Sequence, residues 1–519
     1  MEKLDQFSIL ESNLKKIKFL FLFLILISSL CQVFLINDFK NLYSLIFLIL
    51  SNLIVLNYCF NIENLKNYPI STFSIIFTNF YSNCSALFFK SLFFEPVAGN
   101  LYNPNFTFFY LFIFNILIVV IHIFYKNLIF FNTLKKLIQK IFLFIDLDKI
   151  NNKEFLIFLG LFSLLIATIS VTFFGSTIYS SNQFGPNIVG DILNATNVFF
   201  ISPFIILFTA NIYNFKITKK NYFLIFISLI LVIYLSLGLN ARSAFFDILF
   251  VGILIYCFSF LIGANQIKVL RLNKILFILI FSLLIGSYID KFSDSYLDVR
   301  ATRDITNPIS NIKNHFKSFN NQKSKKVYEV TSDRIFDENY YQINILNRIN
   351  IVKATDNILF SKKYLNKDQI DEILDYELNQ ILALVPNPVI KIFSNSFNKN
   401  DYLKFTITSK IYKSVDKFFK GGKSNGISFG IFFIYENIFF LILYILSVLM
   451  CFTLLDAFKY KNSYLIIFFV LIYSTSGSLI NIISSGSLSD VIGTLIRSIP
   501  QSILFYFIIF KIFIRLRRF

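Results

Sequence analysis

The chain has 519 residues, of which 56% are hydrophobic and only 15% charged, with a mean hydropathy of +0.66. So little charge cannot cover a soluble surface of this size, and the composition predicts an integral membrane protein. The formal net charge of +19 does not point to nucleic acid, because Lys and Arg gather in short loops between apolar runs, as membrane topology requires. The first such run, roughly 19–36, is too long for a signal-peptide core and reads as a retained helix. Further spans are predicted at 41–60, 106–125, 154–175, 192–214, 222–239, 244–264, 275–290, 434–457, 463–483 and 493–514. A twelfth, at 70–94, is less clean, carrying Asn79, Asn83 and Lys90.

Charge decides whether that twelfth run counts. With it, and with the N-terminus inside, every short basic loop falls on the cytoplasmic side, including Lys126/Lys135/Lys136/Lys140 and the tail Arg515/Arg517/Arg518. The expected architecture is therefore all-α and polytopic. It has about twelve transmembrane helices, both termini cytoplasmic, and one large exterior loop between spans nine and ten. The divisions are 1–290 (spans one to nine), 291–428 (the loop) and 429–519 (spans ten to twelve). Helical spacing of apolar residues in 340–355 and 368–385 makes the loop a mostly helical subdomain. No internal repeat is present.

Charges at membrane depth are costly, so they are candidates for function. Arg497 lies about a turn inside the last predicted span, near the outer surface. Asp490, two turns earlier, is either its ion-pair partner or a second substrate contact. Arg242 sits in a very short exterior turn, with Asp247 five residues on, and Glu436 begins span ten near the same surface. A guanidinium there suits phosphate oxygens, although an interfacial anchor is the plainer reading. Lys90 is expected to snorkel to the surface, and His122 to be structural. The loop holds His315, Arg300, Arg303, Arg334 and Arg348 in a chain where Arg is scarce. The five cysteines, Cys31, Cys59, Cys84, Cys257 and Cys451, lie far apart without CxxC spacing, and there are two histidines. Neither a disulfide framework nor a metal site is expected, and no cofactor. No Walker A motif points to ATP-driven transport.

In architecture the whole chain resembles the O-antigen polymerase (Wzy-type) family, the oligosaccharide repeat unit polymerases. Local echoes are ARSAFF (241–246), NRINIVKATDNIL (347–359), ALVPNPVIKIF (383–393) and NGISFGIFFIYENIFF (425–440). The resemblance implies a metal-independent glycosyltransferase of the bacterial inner membrane. It would polymerise undecaprenyl-diphosphate-linked repeat units into surface polysaccharide at the outer face. It also implies a chain-length regulator protein as partner, beside membrane lipids and the lipid-linked oligosaccharide. On that reading Arg242 and Arg497 clamp the diphosphate, with Arg300, Arg303 and Arg348 assisting. Asp247, Glu436 and His315 are the candidate bases. The alternatives are a lipid-linked oligosaccharide flippase, which usually shows two similar halves, and an O-antigen ligase, for which a loop histidine such as His315 would be needed.

Overall fold

The computed structural model describes residues 2–35, 42–145, 153–174, 199–209, 216–238, 248, 251–252, 255, 295, 308–321, 339–341, 346–348, 350–385, 390, 397–403, 405–416, 428–458 and 487–516. Every regular element among them is helical. In chain order they are α1 (Glu2–Leu35), α2 (Leu42–Cys59), α3 (Ile62–Asn67), α4 (Pro69–Asn79), α5 (Ser85–Leu92), α6 (Pro104–Asn127), α7 (Ile129–Phe144), α8 (Lys153–Phe174), α9 (Ser202–Thr209) and α10 (Lys219–Gly238). Then follow α11 (Pro308–Asn321), α12 (Val352–Ser361), α13 (Lys367–Ala383), α14 (Lys399–Leu403), α15 (Ile407–Val415), α16 (Ser428–Tyr435), α17 (Ile438–Ala457), α18 (Leu488–Gly493) and α19 (Ile499–Leu516). Among the described residues six stretches are long and apolar enough to cross a membrane: Leu14–Leu35, Leu42–Cys59, Pro104–Asn127, Lys219–Gly238, Ile438–Ala457 and Leu488–Leu516. Each coincides with an expected span, and the chain is a helical membrane protein. The expected spans at 275–290 and 463–483 lie outside the described residues, as does most of 244–264.

The chain forms two compact units that interleave in sequence. One takes Met1–Ile138, Glu329–Ala457 and Gly477–Ser498; the other takes Gln139–Tyr328, Phe458–Ser476 and Ile499–Phe519.

In the first unit α2 packs on α6, and both touch α4. Ser44 donates to Asn105 at one end of the pair, and Tyr58 meets His122 Nδ1 at 2.7 Å at the other. The two helices are thus parallel neighbours, so the chain between them must return across the bundle. The run from Pro69 to Leu92 does so: α4, a π turn at Phe80–Cys84, then α5. Its awkward amides face inward. Asn79 donates to Asn52 at 2.8 Å, and Asn83 and Asn115 both donate to Ser51 at 2.7 and 3.0 Å. Buried amides are tolerated at this depth only when bonded across helices, each such bond contributing about 0.6 kcal/mol. Lys90 does not snorkel. Its ammonium lies 2.6 Å from Glu95 and 4.5 Å over the Tyr340 ring, because Tyr340 and Tyr341 cover that end of the bundle. His122 is structural, held between Tyr58 and Ser71 Oγ, which in turn donates to Asp456 at 2.7 Å.

The second unit packs α8 on α9 and α10, with α11 on α10 and α19 on α8. Leu164, Ala167, Phe204, Val232 and Leu235 fill that contact. Gly160 sets the distance between α8 and α9, since a Cβ there would stand 2.1 Å from Pro203 Cδ.

Candidate functional site

The described residues of the long loop from 339 onward belong to the first unit, where α12 lies at the end at which α6 begins, and two of their carboxylates reach helix N-termini. An N-terminus presents amides without intrahelical partners and a partial positive charge, so a carboxylate fits there. Asp356, on α12, is 1% exposed. It accepts from Tyr102 N at 2.8 Å, Asn103 N at 3.1 Å and Thr107 Oγ1 at 2.9 Å, at the start of α6. Lys353, one turn earlier on α12, lies 3.5 Å from Oδ2 and 4.3 Å over the Tyr102 ring. Both carboxylate oxygens are occupied.

Glu377, on α13, is also 1% exposed. Its Oε1 accepts from Leu488 N at 2.9 Å and Ser489 N at 3.4 Å, at the start of α18. The Tyr435 hydroxyl interacts with Glu377 electrostatically. Yet neither that hydroxyl nor Oε2 makes a hydrogen bond of normal geometry among the described residues. Burial pushes the Glu377 carboxyl up to about 7. Nearby Asp490 adds to the rise, and the Tyr435 hydroxyl and the two amides oppose it.

Helix α13 is firmly placed. Asn366 and Gln369 form a reciprocal capping box at its start. Gln380 accepts from Ser489 Oγ at 2.9 Å, and Leu384 packs where Gly493 leaves room for it, 3.0 Å from a Cβ position. So α13 runs alongside α18 from its cap to its last residue. On its other side the Tyr376 hydroxyl and Gln380 Nε2 bind the carbonyls of Tyr402 and Phe405. That fixes α14, whose Lys399 donates to Val385 O.

This scaffold brings Arg497 and Lys399 together. The final helical run starts at Ser487, earlier than its apolar stretch suggests, because Ser487 and Asp490 form a capping box. Arg497 therefore sits nearly three turns in, on a π turn at Thr494–Ser498, a feature frequent at functional sites. It is exposed. No acid lies within ion-pair distance of it among the described residues. Burial first, and then the charge of Arg497, lower the Lys399 ammonium below the usual lysine range. Two neighbouring cations without a carboxylate are a ready anion site.

The other expected site residues fall elsewhere. Asp490 does not pair with Arg497, since its carboxylate accepts from Ser487 N and Oγ at 3.0 and 2.8 Å. Glu436 is exposed, takes a left-handed φ of 51° before α17, and pairs with Lys362 from the turn after α12. His315, on α11 in the second unit, is buried, with Ser295 Oγ 3.4 Å from Nδ1. Burial drives it down to about 4, so it is neutral at pH 7. The backbone of Arg348 lies in the turn Leu346–Arg348; its side chain lies outside the described residues, as do Arg242, Asp247, Arg300, Arg303 and Arg334.

Sequence reasoning missed Glu377 and Lys399. Glu377 carries a readable signal, being four residues after Ile373 and three before Gln380 on the stripe that α13 buries. Lys399 has none, because its role comes from a tertiary contact. Comparisons of the chain with protein-family models, curated proteins and solved structures find no match.

Proposed function

We propose that the chain polymerises lipid-diphosphate-linked oligosaccharide repeat units at the exterior face of a bacterial inner membrane, without a metal. The observation that carries the reading is the pairing of exposed Arg497, on a membrane helix, with half-buried Lys399, on a loop helix packed beside it. In the reaction the bond from the anomeric carbon to the diphosphate breaks. Its electron pair goes to the diphosphate oxygen, and a new bond forms to a hydroxyl of the incoming unit. The leaving diphosphate gains charge, which fixed cations stabilise more in the transition state than in the bound substrate. Arg497 and Lys399 fill that role.

The acceptor hydroxyl must lose a proton. Of the described candidates, Glu436 is neutralised by Lys362 and His315 is a weak base. Glu377, raised to about 7 and with only the Tyr435 hydroxyl beside its amide-bound carboxyl, suits general-base work at neutral pH.

Polymer length in cells making Arg497→Ala at normal membrane levels tests the reading. Single repeat units are expected, and wild-type polymer would overturn it. Ligation to a different acceptor shares this chemistry.

A further inference from the structure

Helix α7 follows the span α6 after a single residue, Leu128. It has 16 residues and carries Lys135, Lys136 and Lys140, so it is too short and too charged to cross a bilayer. Its large side chains nevertheless face outward. Ile129 is 81% exposed, Phe130 67%, Leu137 53%, Ile141 47% and Phe144 87%. At 3.6 residues per turn these five fall within an arc of about 120°. Phe131 and Phe142 are buried on a different face. Lys136 and Lys140 are exposed and project at one edge of the apolar arc.

A face this apolar is not left in water, and its tether decides what covers it. One residue after a membrane span, α7 cannot leave the bilayer surface. A helix of low net hydrophobicity, with lysines bordering an apolar face, lies in the interface with that face sunk among the acyl chains. We infer that α7 is an in-plane surface helix whose Lys136 and Lys140 bind anionic phospholipid headgroups. Each lysine near a negatively charged surface favours binding about fivefold. This reading is independent of the glycan chemistry proposed above.

The chain contains no Trp, so Phe130→Trp supplies a unique fluorophore. The full-length variant is reconstituted into protein-free unilamellar vesicles of equal phosphatidylcholine and phosphatidylglycerol, with bromine on the acyl chains of one lipid only. Strong quenching by brominated lipid is expected, several-fold favouring brominated phosphatidylglycerol. Adding Lys136→Gln and Lys140→Gln should remove that preference while leaving the quenching. Emission quenched by aqueous acrylamide but not by brominated lipid would overturn the surface placement. Equal quenching by the two lipids before the lysines are changed would overturn headgroup binding. Should Phe130→Trp fail to insert, Ile141→Trp reports on the same face.

Discussion

Asp356 and Glu377 do the same structural job in different surroundings. Each leaves a loop helix to receive amides at the start of a membrane helix, and each is almost fully buried. Asp356 has a lysine, three donors and no spare oxygen. Glu377 has two amides on one oxygen, the Tyr435 hydroxyl nearby without a hydrogen bond of normal geometry, no cation partner among the described residues, and Asp490 as a like charge close by. The first arrangement ties the carboxyl to a lysine and to the start of α6. The second leaves a buried carboxyl that titrates near neutrality. A buried acid is thus a clamp or a reagent according to whether a cation and a full set of donors accompany it.

This contrast can be broken by substitution. Glu377→Gln keeps the acceptor oxygen for Leu488 and Ser489 but cannot take a proton. Polymerisation should fall by about 10²–10⁴-fold, typical of a lost general base, at unchanged thermal stability. A variant with wild-type rate would make Glu377 a second clamp. Asp356→Ala should do the opposite. It strands Lys353 and three donors, costing about 3–5 kcal/mol, visible as a lower melting temperature in detergent and loss of folded protein from membranes.

Titration sharpens the difference. The folded-state value of Glu377 is raised from 4.5 to about 7. Its contribution to the α13–α18 contact is therefore fully present below pH 4.5 and is lost as pH rises through 7. Hydrogen exchange at the Leu488 and Ser489 amides, corrected for intrinsic rates, should show protection declining across that window. In Glu377→Gln the decline should vanish. The smallest effect is expected from Tyr435→Phe. Removing a hydroxyl that holds the Glu377 value down should move the polymerisation pH profile upward by less than a unit, with little change in maximal rate.

The six spans found among the described residues were legible because a run of about 20 apolar residues has few other uses. The run at 70–94 was ambiguous for a physical reason: Asn79 and Asn83 satisfy one another's neighbours inside the bundle, so polarity there marks an interior face. Arg497 stood out as a charge at membrane depth, but its position within the helix did not, because the Ser487–Asp490 capping box lies upstream of the apolar run. Glu377 is hidden among Asp368, Asp371, Glu372 and Asp375 on the same helix, and only the buried stripe separates it from them. Lys399 and the Lys362–Glu436 pair depend on chain segments meeting in space, which no local spacing records.

The most direct test of the proposed chemistry uses purified protein in proteoliposomes supplied with undecaprenyl-diphosphate-linked repeat units. Products are resolved by size. A ladder of extended glycan with release of free lipid diphosphate is expected, reduced at least 100-fold in Arg497→Ala and less severely in Lys399→Met. Movement of the lipid-linked unit across the bilayer with no glycan extension, equal in wild type and Arg497→Ala, would contradict it.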